Sequence, residues 1–220
     1  MSPAHIDRLY DQQLDRLTQS IGAMGDFALA QFNDAIRALL THDTALAQRV
    51  VEQDRMLDAL RRDLSASAAL VIAKRQPLAS DLEEVLADLR IVEDLERIGD
   101  LAKNIGRRTI EMSSASVPAA LAASIEAMVE LTSGQLRTAL DAFVERDPQR
   151  ASRVNERDDQ VDETHHQIVA EMVTLMGEER THVADFVHLL FCVKNIERIA
   201  DHAVNVAKAA YLKSTGQPIA

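Results

Sequence analysis

Apolar side chains recur at Leu17, Ile21, Met24, Ala28, Phe32, Ala35 and Leu39, in steps of three and four. That rhythm turns one stripe of an α-helix toward a core. Its mean step lies near the natural helical period, which predicts nearly straight helices rather than a strong supercoil. The same steps return 104 residues later at Leu121, Ile125, Met128, Thr132, Leu136, Ala139 and Phe143. The offset holds through Val50/Val154, Asp54/Asp158, Leu57/Val161, Asp58/Asp162 and Leu64/Ile168, then drops to 101. The chain reads as an internal duplication with a three-residue difference in one loop.

Breaker residues cut each half into three helices. The first half is expected to run as helices over 6–40, 44–74 and 81–112, with a turn at Arg75-Gln76-Pro77-Leu78-Ala79. Ser80-Asp81-Leu82-Glu83 reads as a capping box opening the third helix. Ser113 to Val117 forms a short polar linker, and the second half is expected as helices over 118–146, 148–176 and 182–213. Pro148 suits a first helical position behind an acidic N-cap at Asp147. Short turns force neighbouring helices antiparallel. The predicted fold is all-α: two tandem three-helix bundles, six long antiparallel helices, with repeats at 1–114 and 115–220.

Within that frame one phrase is written twice. Glu96-Arg97-Ile98-Gly99-Asp100, closed by Asn104, returns as Glu197-Arg198-Ile199-Ala200-Asp201, closed by Asn205. Acid, acid and amide stand at i, i+4 and i+8, one face of a helix with about 6 Å of rise between neighbours. Like charges at that spacing cost a helix a few tenths of a kcal/mol unless a cation answers them. The second helix of each half adds Glu52, Asp54 and Asp58, and Glu156, Asp158 and Asp162. Asp54 and Asp58 precede the first hairpin turn by about as many residues as Glu96 and Asp100 follow it, so the two pairs stand level on antiparallel helices. Asp162 and Glu197 are related in the same way about the turn at Gly177 to Thr181. The apolar stripe Leu95, Ile98, Ala102 and Ile105 runs beside the acids and places them at the edge of the core.

Two carboxylate pairs at one height carry a charge near −4 and repel unless a cation, a proton or an arginine intervenes. Oxygen-only ligands suit hard ions such as magnesium, manganese, calcium and iron, with zinc admissible. The candidate metal ligands are Asp54, Asp58, Glu96 and Asp100 in one half and Asp158, Asp162, Glu197 and Asp201 in the other. A solvated charged face with Arg97 and Arg198 as counterions is the plainer alternative. A ferritin-like carboxylate metal store or oxidase is a further one. It needs paired Glu-x-x-His ligands, whereas Glu163-x-x-His166 has Ala59 and Arg62 at its repeat positions. His202 reads as a surface histidine and Cys192 as a small core filler.

Composition narrows the function classes. The chain has 220 residues, 47% hydrophobic and 27% charged, with 3% aromatics and no Trp. Twenty-four basic residues stand against 35 acidic ones, a formal net charge of −11. That balance disfavours nucleic acid and anionic membrane surfaces as partners. A single cysteine gives no disulfide framework, no signal peptide is visible, and the apolar run 66–73 is too short to span a bilayer. A cytoplasmic location is expected. Phosphate-binding glycine loops and nucleophile motifs are absent, so an enzyme is not expected.

The doubled acidic phrase, the turn Ala73-Lys74-Arg75-Gln76-Pro77 followed by Asp81-Leu82, and the doubled three-helix layout resemble the PhoU family over essentially the whole chain. The resemblance implies a cytoplasmic, commonly dimeric, non-enzymatic negative regulator of phosphate-starvation signalling and phosphate uptake. It implies partners in the ATPase subunit of the high-affinity phosphate transporter and a sensor histidine kinase, with membrane association only through them. It also implies multinuclear metal clusters of iron, zinc, manganese or magnesium on the eight acids named above. Gly99 becoming Ala200 narrows the close backbone approach there without removing a ligand.

Overall fold

The structure, a computed structural model, describes residues 3–76, 80–113, 117–155, 158–178 and 182–219, and within them every side chain except those at 3–11, 75, 80, 120, 155 and 158. The described residues form helices α1 (Pro3–Thr41), α2 (Thr44–Arg75), α3 (Ser80–Glu111), α4 (Ala119–Glu145), α5 (Pro148–Asn155), α6 (Asp158–Glu178) and α7 (Val183–Thr215). No strand occurs among them. The helix ends fall within a few residues of those expected from periodicity and breakers. Helices α5 and α6 flank residues 156–157, in the span expected as one helix. Glu156 and the side chains of Ser80 and Asp158 lie outside the described residues, as do the turn residues 77–79 and 179–181 and the linker residues 114–116.

The caps repeat with the duplication. Asp43 Oδ1 accepts from the Leu46 backbone N–H at 2.8 Å to open α2. Asp147, 104 residues on, accepts from the Arg150 N–H at 2.9 Å to open α5. Each carboxylate satisfies an orphan donor of the first turn and faces the positive end of its helix. Gln76, Arg146 and Gly216 end α2, α4 and α7 in the left-handed region, each with its N–H returned to the carbonyl four residues back.

Helices α1–α3 and α4–α7 pack as two bundles, and their most extensive mutual contact is α3 against α7. Both seven-residue stripes are buried, Thr132 included. One continuous apolar cluster draws residues from all seven segments, so the halves share a core. Cys192 is buried in it, and burial pushes its thiol up to about 12. A buried ion pair crosses the junction. Lys213 Nζ (α7) donates to Asp88 Oδ1 (α3) at 2.5 Å and to Thr18 Oγ1 (α1) at 2.9 Å. The ammonium lies 4.6 Å from the centre of the Phe143 ring of α4. Burial holds the Asp88 carboxyl above its ordinary value and the Lys213 ammonium below its own. No helix among the described residues is long and apolar enough to cross a membrane.

Candidate metal centre

Antiparallel pairing of α2 and α3 brings the first set of acids to one height, as their equal distance from the hairpin requires. Asp54 is buried, and Asp58, Glu96 and Asp100 are half-buried. A lysine closes part of the cluster. Lys103 Nζ donates to Asp54 Oδ2 at 2.6 Å and to Asp100 Oδ1 at 2.5 Å, bridging the two helices. Burial works against its charge, but the hydrogen bonds to Asp100 and Asp54 outweigh it and hold the ammonium above its ordinary value. The Glu96 side chain is 14% exposed, with Arg61 Nε at 3.8 Å and Arg97 Nε at 3.6 Å. Both distances exceed a hydrogen bond, and Glu96 Oε2 is buried without one. Burial and the neighbouring Asp100 raise its pKa, Asp58 adds to the rise, and Arg97 and Arg61 oppose it.

The second set is built differently. Asp162 and Asp201 are exposed and Glu197 is half-buried. Glu197 pairs with Lys194 of its own helix, Nζ to Oε1 at 2.7 Å. Lys194 is half-exposed and stands where the first half has Glu93. His165 occupies the repeat position of Arg61. Burial lowers its pKa and so favours neutral imidazole, with Glu197 and Asp162 pulling the other way. Among the described residues no three His, Cys, Asp or Glu side chains are placed as a ready metal-holding group. The structure thus brings together Asp54 with Asp100 through Lys103, and Glu96 with Asp58 and Asp100. In the second half His165 lies within the fields of Asp162 and Glu197.

Sequence reasoning missed Lys103, Arg61 and His165 as members of these clusters. Lys103 lies three residues after Asp100, the spacing of a helical ion pair, and that signal was available. The closing asparagines do not join the carboxylates. Eight residues of helix turn a side chain about 80° from the first position. Asn104 lines a groove with Arg107, Arg108, Phe191 and Asn195, and Asn205 lines its counterpart with Arg90, Asp94 and Lys208. His202 is not a surface bystander. It is half-buried, with Nδ1 2.8 Å from Asp94 Oδ1 across the two halves. The His166 ring Nδ1 lies 2.7 Å from the Asp162 carbonyl of its own helix.

Comparison with known proteins sets this geometry among relatives. The PhoU domain matches residues 21–109 and 125–210, one copy per repeat. The phosphate-specific transport system accessory protein PhoU homolog of Rhizobium meliloti is 43% identical over 98% of this chain and 91% of its own length. The homolog of the same description from Caulobacter vibrioides is 42% identical over 98% and 94%. The crystal structure of PhoU from Pseudomonas aeruginosa superposes with a TM-score of 0.87 at 30% identity, covering 94% of this chain and all of that one. With a family domain in each half and relatives alike from end to end, this chain belongs to the PhoU family.

Proposed function

We propose that this chain is a cytoplasmic, non-enzymatic regulator of a phosphate transport system. It acts as a homodimeric adaptor that restrains phosphate uptake and phosphate-starvation signalling. Its partners are the ATPase subunit of the transporter and a sensor histidine kinase. The observation that carries this reading is the end-to-end likeness to proteins named accessory proteins of phosphate-specific transport. Exposed apolar side chains support a docking role: Val183, Val187 and Phe191 stand four residues apart on one face of α7, with Arg108 over the Phe191 ring at 4.5 Å. Apolar groups gathered on one face of a water-exposed helix suit a protein partner.

The carboxylate clusters are read as sites for iron, zinc, manganese or magnesium. Glu96 Oε2, buried without a hydrogen bond and answered only by Arg97 Nε at 3.6 Å, lies in the field of Asp58 and Asp100, which suits a cation. Asp54, Asp58, Glu96 and Asp100 would hold it in one half, and Asp158, Asp162, Glu197 and Asp201 in the other. A bound ion would supply positive charge that clamps the helix pairs together, with coordination that phosphate can complete.

Deleting the gene should raise phosphate-starvation gene expression in phosphate-rich medium, and the intact protein should retain the transporter ATPase in a pull-down. Unchanged expression sinks the regulatory role. Metal retained undiminished by an Asp100→Asn, Asp201→Asn double variant sinks the carboxylate sites.

A further inference from the structure

Helices α3 and α7 border two grooves that the duplication relates to each other. At the offset of 101, Asn104, Arg107, Phe191 and Asn195 of one groove correspond to Asn205, Lys208, Arg90 and Asp94 of its twin. Two positions differ in kind: Arg108 and Glu111 stand where the twin has Ala209 and Leu212. Those two apolar residues share the twin with Pro218 and Ile219, a non-helical segment that follows α7. The twin thus accommodates a short stretch of irregular chain.

The first groove, about 340 Å³ in volume, has no such segment among the described residues that line it. The chain leaving α3 is drawn elsewhere. Ser113 is held by Asp185, and Val117, the counterpart of Pro218, is buried in the shared core. Apolar surface comes instead from Phe191, 48% exposed on the α7 face that carries Val187 and Val183. The Arg108 guanidinium lies 4.5 Å from the centre of that ring and pairs with Glu111. Arg107 is exposed, and no carboxylate among the described residues pairs with it. Arg198, also exposed, lies seven residues beyond Phe191 and so on the same face of α7. Cations gathered about an exposed aromatic ring, on a chain of net charge −11, mark a surface for an acidic partner.

We propose that the groove of Asn104, Arg107 and Phe191 docks a short acidic, non-helical segment of a partner protein, with an aliphatic or proline residue against the ring. Arg107 and Arg108 answer its carboxylates, and the amides of Asn104 and Asn195 bond its backbone. This gives the adaptor reading above a docking place and a partner chemistry, and rests on it.

The probe is a fluorescein-labelled peptide, Asp-Glu-Pro-Ile-Asp-Glu, titrated with the full-length protein and followed by fluorescence anisotropy. Saturable binding is expected, about tenfold weaker in Arg107→Glu and in Phe191→Ala. Exchanging the peptide's acids for lysines should weaken it as much, and added salt should weaken it too. Lys208→Glu makes the same charge reversal in the twin groove and should bind like the wild type. Arg107 and Phe191 are exposed, so both variants should keep the helical circular dichroism of the wild type.

No saturable binding by the wild type overturns the proposal, as does undiminished binding by either groove variant. A loss that Lys208→Glu reproduces overturns it too, because general charge would then be the cause. Light scattering tests a second copy as the occupant. A wild-type dimer that Phe191→Ala converts to monomer, with no peptide bound, makes the groove a contact between copies and overturns partner docking. The probe needs neither transporter nor kinase, so its failure leaves the regulatory reading standing. Unchanged expression on gene deletion sinks that reading and leaves the groove to the peptide.

Discussion

Gly99 sits inside the first acidic phrase, and its missing side chain is a packing requirement. A methyl group built there would lie 2.3 Å from Leu57 Cδ1 and 3.2 Å from Gln31 Oε1. Neither neighbour has free room. Leu57 is wholly buried, and Gln31 is tied by its Nε2 to the Val50 carbonyl at 3.0 Å. Forcing a methyl group into such a core costs about 1–3 kcal/mol. Replacing a mid-helix glycine by alanine returns about 1 kcal/mol of helix propensity. Gly99→Ala should therefore destabilise the protein by about 1 kcal/mol net, despite the better helix former. Leu57→Val removes the obstructing methyl, so the two substitutions should couple favourably by roughly 1–2 kcal/mol in a double-mutant cycle. The second repeat already carries that pair, Ala200 with Val161, both buried. Urea unfolding followed by circular dichroism gives all four stabilities, with a constant slope confirming the same transition. A Gly99→Ala protein more stable than the wild type, or strictly additive single effects, would refute the packing argument. Leu57 adjoins Asp58, and Gly99 adjoins Asp100, so the contact also sets the spacing of α2 and α3 at the height of the carboxylates.

Two further tests address charge. Lys213→Met strands a buried carboxyl at Asp88 and should cost about 3–5 kcal/mol in urea unfolding, while Lys213→Met with Asp88→Leu should recover most of it. A loss under about 1 kcal/mol would mean the pair behaves as a solvated surface bridge. Asp185 at the start of α7 accepts from the Ser113 backbone N–H at 2.8 Å and from its hydroxyl, tying the linker between the halves. Burial raises its pKa, but the Ser113 hydrogen bonds and His182 outweigh that and hold it below the ordinary value of 3.8. Its folded pKa being the lower one, its contribution is present above the unfolded value and lost as pH falls through the folded value. The stability gap between the wild type and Asp185→Asn should be flat near neutrality and close in acid. A gap that persists unchanged through that window would show that the ionised carboxylate is not what holds the linker.

The helices were legible because their signals are local. Periodic Leu17 to Leu39 and its copy name the buried stripes, and Asp147 before Pro148 names a cap. Levelness of Asp54 and Asp58 with Glu96 and Asp100 followed from counting along one hairpin. What lay beyond the sequence is the rotation of each helix about its own axis. Spacing alone could not say that α3 turns Asp100 and Lys103 toward Asp54 while Asn104 faces the α7 groove. Pairs between the halves leave no local trace at all. Asp88 and Lys213 are 125 residues apart, and Asp94 and His202 are 108 apart. His202 was accordingly read as a surface residue.

The two repeats have diverged under unequal constraint. At one contact between the second and third helices apolar volume changed in a compensating pair: Gly99 against Leu57 in one half, Ala200 and Val161 at the repeat positions in the other. A three-helix core tolerates exchanges that keep the total volume. The charges were not exchanged in that way. Lys103 became valine, Arg61 became histidine, and Glu93 became a lysine on the outer surface. At that contact the packed volume is kept while the charges around the carboxylates are not. The first cluster sets an ammonium between carboxylates of two helices, whereas Glu197 of the second pairs with Lys194 of its own helix, so the energies of these partly buried charges are set by different nearest partners.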